Sequence, residues 1–328
     1  MDHGSEIPII DVAAMLAGEE AAEARVADQI LAACTSTGFF YLAGHGVDQA
    51  MIDDAFEANR RFHAKPVAEK LAVKQNRWHR GYQPFASSTL KSSARFEAAR
   101  HPNQLESFFV RHELSPNHPD YERKALQGPN QWPDDPWFIE TVRRYDTATR
   151  NLGLSLLPAF SRAVGEDRGF FTRLFDPPAS ALRLIHYTPA PAVRPEDLYG
   201  IHPHTDYGFL TILAQDDVGG LQVQRVDGTW IDAPYIRGTF ILNIGDILAR
   251  WTNDRFNSTP HRVVNKSHEK DRYSIGMFFD PNLDTMIETL PQFADLQPGK
   301  YPPIRYGDYF TMRLDANYPD RTGLPAAN

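Results

Sequence analysis

His202, His204 and Asp206 stand at every second position of IHPHTDYG, residues 201–208. In an extended chain alternate side chains point to one side, so all three would share a face. Another imidazole, His261, follows in the β-like run NSTPHRVVN, with fifty-four residues between it and Asp206. Two imidazoles and one carboxylate from separate strands form the facial donor set that suits non-haem Fe(II) and leaves coordination positions open. Eleven residues after His261, in RYSIGMFFDPN, Arg272 and Ser274 are two apart and share a strand face. A guanidinium fork beside a hydroxyl can hold a carboxylate in a buried site, and the apolar continuation IGMFF marks that strand as buried.

A short H-x-D triplet is weak evidence by itself. HPD at His118–Asp120 is another, and its Pro-rich, irregular surroundings read as a solvated loop. The series His202-x-His204-x-Asp206 also resembles the H-x-H-x-D-H string of binuclear zinc hydrolases, in which His202 would be a ligand. Tyr207 stands where that string has its last histidine, and the accompanying βαββα pattern is missing. Local spacing alone leaves the zinc and iron readings both open.

The elements that must position these residues fall into two textures. In the first half, IPIID (7–11) is strand-like, Val26, Ile30 and Cys34 repeat at helical spacing up to Gly38, and 38–46 reads as a buried strand. Residues 47–64 form an amphipathic helix with Ile52, Phe56 and Phe62 inward, and Pro66 opens a further turn. Residues 79–136 are irregular and too polar for core, the texture of a long functional loop. A long helix then starts with Asp135 as N-cap and Pro136 at its first position, carries Phe138, Val142, Tyr145, Leu152 and Leu156 as a stripe, and ends at Gly165 with a kink near Pro158. From about 180 the chain becomes short β-rich runs: LRLIHY, FLTILAQ, LQVQRV, TWIDAP, TFILNI, HRVVN, YSIGMFF and YGDYFTMRL. VDGTW is a hairpin signal. Such a series predicts a double-sheet jelly roll or barrel, not a parallel α/β sheet.

With 328 residues and 42% hydrophobic content, a sizeable core is expected. A net charge of −8 with scattered Lys and Arg lacks the electrostatic footprint for nucleic acid. No apolar run reaches the length of a membrane span, and the single cysteine, Cys34, rules out an internal disulfide framework and any thiolate metal cluster. The expected setting is cytoplasmic.

Taken together, His204-x-Asp206, His261 and Arg272-x-Ser274 resemble the Fe(II)- and 2-oxoglutarate-dependent dioxygenases, and more closely the isopenicillin N synthase-like superfamily. The resemblance spans most of the chain through IPIIDV, TGFFYLAGHGV, RGY (80–82), ESFFV (106–110), YGFLTILAQDDVGGLQV, LNIGDIL, STPHRVVN, RYSIGMFFDPN and YGDYF. It implies a mainly β fold with α: a double-stranded β-helix (jelly roll) core at 176–285, an N-terminal helical support region at 1–175, and a C-terminal strand and tail at 286–328. It implies His204, Asp206 and His261 as iron ligands, and Arg272, Ser274 and Tyr187 as residues holding 2-oxoglutarate. Ile185 departs from the family's N-x-Y stretch, where an Asn is usual. Asn243 and His202 are expected in supporting positions behind the ligands. The implied reaction oxidises a small organic substrate, by hydroxylation, desaturation or ring closure, as 2-oxoglutarate and O₂ become succinate and CO₂. Because isopenicillin N synthase keeps an R-x-S pair without using 2-oxoglutarate, an oxoglutarate-independent oxidase is the alternative, and a catalytically idle oxoacid-binding module a further one. Arg80, Tyr82, Arg95 and Arg183 are candidates for gripping an acidic or amino-acid-like substrate. His186 is expected to be structural, and Phe209, Leu221 and Phe279 core or pocket wall.

Overall fold

The computed structural model describes residues 7–19, 21–89, 96–193 and 195–317. In chain order the first half holds β1 (Ile9–Asp11), α1 (Ala13–Leu16), α2 (Ala22–Ser36), β2 (Phe39–Ala43), α3 (Gln49–His63), α4 (Val67–Ala72), β3 (Gly81–Gln83), β4 (Glu106–Arg111), α5 (Pro136–Ala163) and α6 (Phe170–Leu174). The second half holds β5 (Ala181–Tyr187), β6 (Ile201–His204), β7 (Leu210–Gln215), β8 (Leu221–Gln224), β9 (Trp230–Asp232), β10 (Phe240–Ile244), α7 (Asp246–Trp251), β11 (His261–Val263), β12 (Arg272–Phe279), β13 (Met286–Ile287), β14 (Ile304–Arg305) and α8 (Tyr306–Asn317). Helix starts follow their capping chemistry: the Asp135 carboxylate accepts the Phe138 amide at 3.1 Å, and Asp48 accepts that of Ala50 at 2.9 Å. The long helix continues through Pro158 as one element.

An eight-stranded sheet of order β1-β2-β10-β7-β12-β5-β4-β3 faces a four-stranded sheet of order β6-β11-β8-β9. Strand alternation divides the large sheet's residues between two cores. Phe40, Leu42, Phe108, Leu182, Leu184, Ile212, Leu242, Ile275 and Met277 pack against α2, α3 and α5. Phe39, Tyr41, Ile185, Tyr187 and Ile241 face the small sheet's Leu221, Val223 and Val263. This is a jelly roll with a helical layer on its outer face, built from large, mostly antiparallel sheets that do not close into a barrel. Phe209 and Phe279 lie in the core under the helices, and Leu221 lies between the sheets. Among the described residues no helix is long and apolar enough to cross a membrane.

Two expectations are corrected here. The 79–136 region is not all loop: β3 and β4 extend the large sheet, and every residue in both is buried. Their polar residues make the segment look unfit for core, but each has a partner. Ser107 donates to Gln83 Oε1 at 3.0 Å, and Glu106 accepts from Lys70 Nζ at 2.8 Å, from Tyr82 Oη and from His186 Nδ1 at 2.8 Å. The second correction is YGDYFTMRL, which is helix α8 and not a strand. Its buried Tyr306, Tyr309, Phe310, Leu314 and Asn317 repeat at helical spacing, a period that the β-rich aromatic composition masks. The tail from 318 onward lies outside the described residues.

Burial alone would push the Glu106 carboxyl up, but the bonds from His186, Lys70 and Tyr82 outweigh it and hold the group at about 2, below its ordinary 4.5. A depressed carboxyl stabilises the fold above its unfolded value, and the contribution is lost as pH falls through the folded one. Glu106→Gln leaves the buried Lys70 ammonium without its anion, so it should lower unfolding free energy by about 3 kcal/mol at neutral pH, read from urea denaturation. The variant should also lose part of the wild type's destabilisation between pH 4.5 and about 2.

Candidate metal and cosubstrate site

Strands β6 and β11 pair antiparallel with His204 directly opposite His261, their ring centroids 4.3 Å apart. Asp206 begins the turn into β7, and its Oδ1 lies 3.7 Å from Nε2 of each histidine. A donor atom from each of the three falls within 4.8 Å of the others. His204 Nδ1 lies 2.8 Å from the His202 carbonyl and His261 Nδ1 3.2 Å from that of Thr259. A carbonyl only accepts, so both Nδ1 atoms carry a proton, and both Nε2 atoms lie toward Asp206 Oδ1. The other carboxylate oxygen, Oδ2, accepts from Thr211 Oγ1 at 2.6 Å and Asn243 Nδ2 at 2.7 Å.

The turn is clamped from both sides. The first amides of α7 donate from Asp246 to the Asp206 carbonyl at 2.8 Å and from Ile247 to that of Gly208 at 3.1 Å. Across the turn, the Asp280 carboxylate accepts the Phe209 amide at 2.8 Å. A Cβ on Gly208 would collide with Asp280, so only glycine fits there. Burial, with His261 nearby, pushes His204 down to about 4, which keeps its imidazole neutral at physiological pH. Burial opposes ionisation of Asp206, but His261, His204 and the bonds from Asn243 and Thr211 outweigh it and hold the carboxyl below its ordinary value. Two imidazoles whose Nδ1 atoms are held by carbonyls, together with one carboxylate, form a donor set that fits Fe(II).

The inner face of the large sheet carries Arg272, Ser274 and Tyr187. β12 and β5 pair with Arg272 opposite Tyr187 and Ser274 opposite Ile185, while Gln215 of β7 lies beside Ser274. The fully buried Arg272 guanidinium sits 4.6 Å from the Tyr187 ring centroid. It donates to the Gly219 carbonyl at 2.5 Å and, at the long distances of 3.4 and 3.5 Å, to Ser274 Oγ and Gln215 Oε1. Ser274 Oγ and Tyr187 Oη are 3.5 Å apart. A buried cation whose hydrogen bonds all reach neutral acceptors suits an added carboxylate.

A cavity of about 130 Å³ reaches His204 and Asp206. Phe109, Arg183 and Phe278 of the large sheet line it, and Phe310 and Leu314 of α8 line it too. Arg183 Nε donates to Ser107 Oγ at 3.1 Å and Nη2 to Gln83 Oε1 at 3.1 Å, while Nη1 has no hydrogen bond among the described residues. Opposite Arg183 on β12 stands Gly276, where an added Cβ would meet nothing closer than Leu213 at 3.8 Å. The glycine leaves space beside the guanidinium.

Other candidates separate clearly. Arg80 is buried and does not line the cavity: its guanidinium serves the carbonyls of Arg111, His112 and Leu126 at 2.8–3.1 Å and Asn130 Oδ1 at 2.9 Å. Tyr82 is likewise structural, its hydroxyl engaged by Glu106. Both are buried away from the cavity, and their terminal polar atoms are engaged by internal partners. Arg95 lies outside the described residues. His186 bridges Glu106 and Asp271, as a structural histidine would. His202 lines the cavity and supports His204 through its carbonyl, and Asn243 touches Asp206 directly. Sequence reasoning missed Thr211, Asn103 and Arg111. Arg111 follows Phe109 by two in ESFFVR and shares its face, a signal that a loop reading of the segment discards.

A His-Asp-His site inside a jelly roll, beside a buried Arg-Ser pair, defines the class of non-haem metal oxygenases. Residues 178–281 match the 2OG-Fe(II) oxygenase superfamily, and residues 7–135 match the non-haem dioxygenase in morphine synthesis N-terminal family. The chain is 35% identical to a 2-oxoglutarate-Fe(II) type oxidoreductase of Emericella nidulans, over 92% of this chain and 87% of the relative. It is 32% identical to a homoarginine-6-hydroxylase of Glycine max, over 96% and 98%. A full-length Neurospora crassa protein crystallised in complex with alpha-KG and thymine superposes with a TM-score of 0.81 at 31% identity, covering 96% of this chain and 98% of that one. The protein belongs to the 2OG-Fe(II) oxygenase superfamily. It is an Fe(II)- and 2-oxoglutarate-dependent oxidoreductase that acts on a small organic substrate, which sets aside the zinc hydrolase, the oxoglutarate-free oxidase and the idle module.

Removing a donor to Asp206 Oδ2 frees the carboxylate to rotate. Asn243→Ala and Thr211→Val should each weaken Fe(II) binding by about tenfold, measured by anaerobic titration of metal-free protein. Wild-type affinity in both variants would contradict the orienting role.

Proposed function

We propose that His204, Asp206 and His261 hold the iron, that Arg272, Ser274 and Tyr187 hold the distal carboxylate of 2-oxoglutarate, and that Arg183 grips the carboxylate of an acidic or amino-acid-like substrate. The observation that carries the last assignment is the buried Arg183 guanidinium at the cavity wall, with Nε and Nη2 engaged and Nη1 without a bond among the described residues. An arginine held by neutral partners is preorganised for an anion. Phe109, Phe278, Phe310 and Leu314 form an apolar wall that takes the substrate's carbon skeleton and excludes water. The homoarginine hydroxylase relative acts, by its name, on an amino acid, which is in keeping with this chemistry.

Bound Fe(II) supplies the redox centre at which O₂ and 2-oxoglutarate are consumed to give succinate and CO₂ and a substrate C–H is oxidised. The protein's own residues do the positioning. Arg272 and Ser274 orient the cosubstrate, Asp206 is held in one rotation by Thr211 and Asn243, and Arg183 directs one carbon of the substrate toward His204 and Asp206. Hydroxylation is the outcome that needs only this positioning. A reducing, cytoplasmic setting suits a ferrous enzyme whose single cysteine, Cys34, is buried.

The test is succinate formation with Fe(II), 2-oxoglutarate and a panel of amino acids, other carboxylic acids and their neutral amides. Loss of a charged hydrogen bond costs about 2 kcal/mol, or roughly 30-fold in binding. Arg183→Leu should raise KM for the acid substrate by about that factor and leave KM for 2-oxoglutarate unchanged. Arg272→Ala should do the reverse. Equal stimulation by acids and their amides would overturn the assignment of Arg183.

A further inference from the structure

We infer that Asn103 is a positioning residue for the iron ligand His204, tying the wall of the substrate cavity to the metal through the backbone of His202. The inference rests on the reading of His204 as an iron ligand.

β6 lies at the edge of the small sheet, so among the described residues β11 is its only ladder partner, and their register shifts between His261 and Val263. Pro203, inside β6, has no amide to donate. The strand that presents His204 is therefore weakly held by its own sheet, and its free side is secured by the segment from Asn103 to Gln104. Asn103 Oδ1 accepts the His202 amide at 3.0 Å and lies 2.9 Å from His202 Nδ1. The Gln104 amide donates to the Tyr199 carbonyl at 3.0 Å. One peptide further on, the His202 carbonyl accepts the Nδ1–H of His204 at 2.8 Å.

Asn103 is itself anchored. Its amide donates to the Ser88 carbonyl at 2.9 Å and its Nδ2 to Ser88 Oγ at 3.3 Å. Ser88, Asn103 and His202 all line the cavity that reaches His204 and Asp206. Each link is a hydrogen bond or a single peptide unit, so a displacement of the wall at Asn103 moves the carbonyl that sets the tilt of the His204 ring. Partners behind a metal ligand typically govern metal affinity by roughly 10- to 100-fold, the range to expect here.

The experiment uses the full-length, metal-free protein titrated with Co(II), whose absorption spectrum reports ligand geometry. Asn103→Ala should weaken Co(II) binding by about tenfold or more and shift the spectrum, with Arg272 and its pocket untouched. Asn103→Asp keeps an oxygen acceptor for the His202 amide and should restore affinity and spectrum toward wild type. Should the alanine variant fail to fold, Asn103→Ser, too short to reach His202, takes its place. Wild-type affinity and spectrum in the short variant overturn the proposal, as does weakened binding with an unchanged spectrum that Asn103→Asp fails to rescue. His204→Ala separates the two readings. If it binds Co(II) normally the ligand assignment itself fails, whereas if it loses the metal while Asn103→Ala does not, only the role of Asn103 is refuted.

Discussion

The arrangement depends on keeping one buried carboxylate ionised and in a fixed rotation. Asp206 is buried beside two imidazoles where an isolated charge would be costly, so its Oδ2 is bound by Thr211 and Asn243 while Oδ1 faces the histidines. Those two donors come from β7 and β10, neighbours in the large sheet, whereas the histidines come from the small one. The site therefore exists only if the sheets face each other. Clamping of the turn by α7 and by Asp280 after β12 follows from the same need, since an acid that swings loses both its donors and its aim.

Division of labour across the large sheet follows from strand alternation. One face is apolar and buries itself under α2, α3 and α5, which makes the sheet a rigid platform. The other face carries, along β12 and β5, Arg272, Ser274 and Tyr187 toward one end and Arg183 and Phe278 toward the other. A single register thus sets Arg272, Ser274 and Tyr187 at a fixed separation from the cavity lined by Arg183 and Phe278. Three buried arginines show how partners decide roles. Arg80 spends its two terminal nitrogens on three carbonyls and an amide oxygen and becomes a structural clasp. Arg272, fully buried, bonds the Gly219 carbonyl and reaches Ser274 and Gln215 only at long distance, and Arg183 lines a cavity with Nε and Nη2 engaged.

Much of this was legible in the chain. His204, Asp206 and His261 were readable because their residue types combine with the distant Arg272-x-Ser274 pair into one recognisable pattern, and the jelly roll because short β runs follow one another after residue 180. The start of the long helix was readable from Asp135 and Pro136. β4 was hidden because its polar residues are compensated by Lys70, Gln83 and His186, which lie far away in sequence. α8 was hidden because its aromatic content imitates a strand, while its buried stripe gave the period that would have corrected the reading.

The sequence by itself determined which metal-donor and anion-holding residue types are present, and that Arg272 and Ser274 would share a strand face. These follow from donor chemistry and the two-residue repeat of an extended chain. Only the tertiary structure decided that His204 pairs opposite His261, that Arg183 lines the cavity while Arg80 and Tyr82 do not, and that Asn103 accepts the His202 amide on the strand that carries His204. Those outcomes depend on which distant donor meets which acceptor once the two sheets close. Spacing along the chain carries no record of that choice.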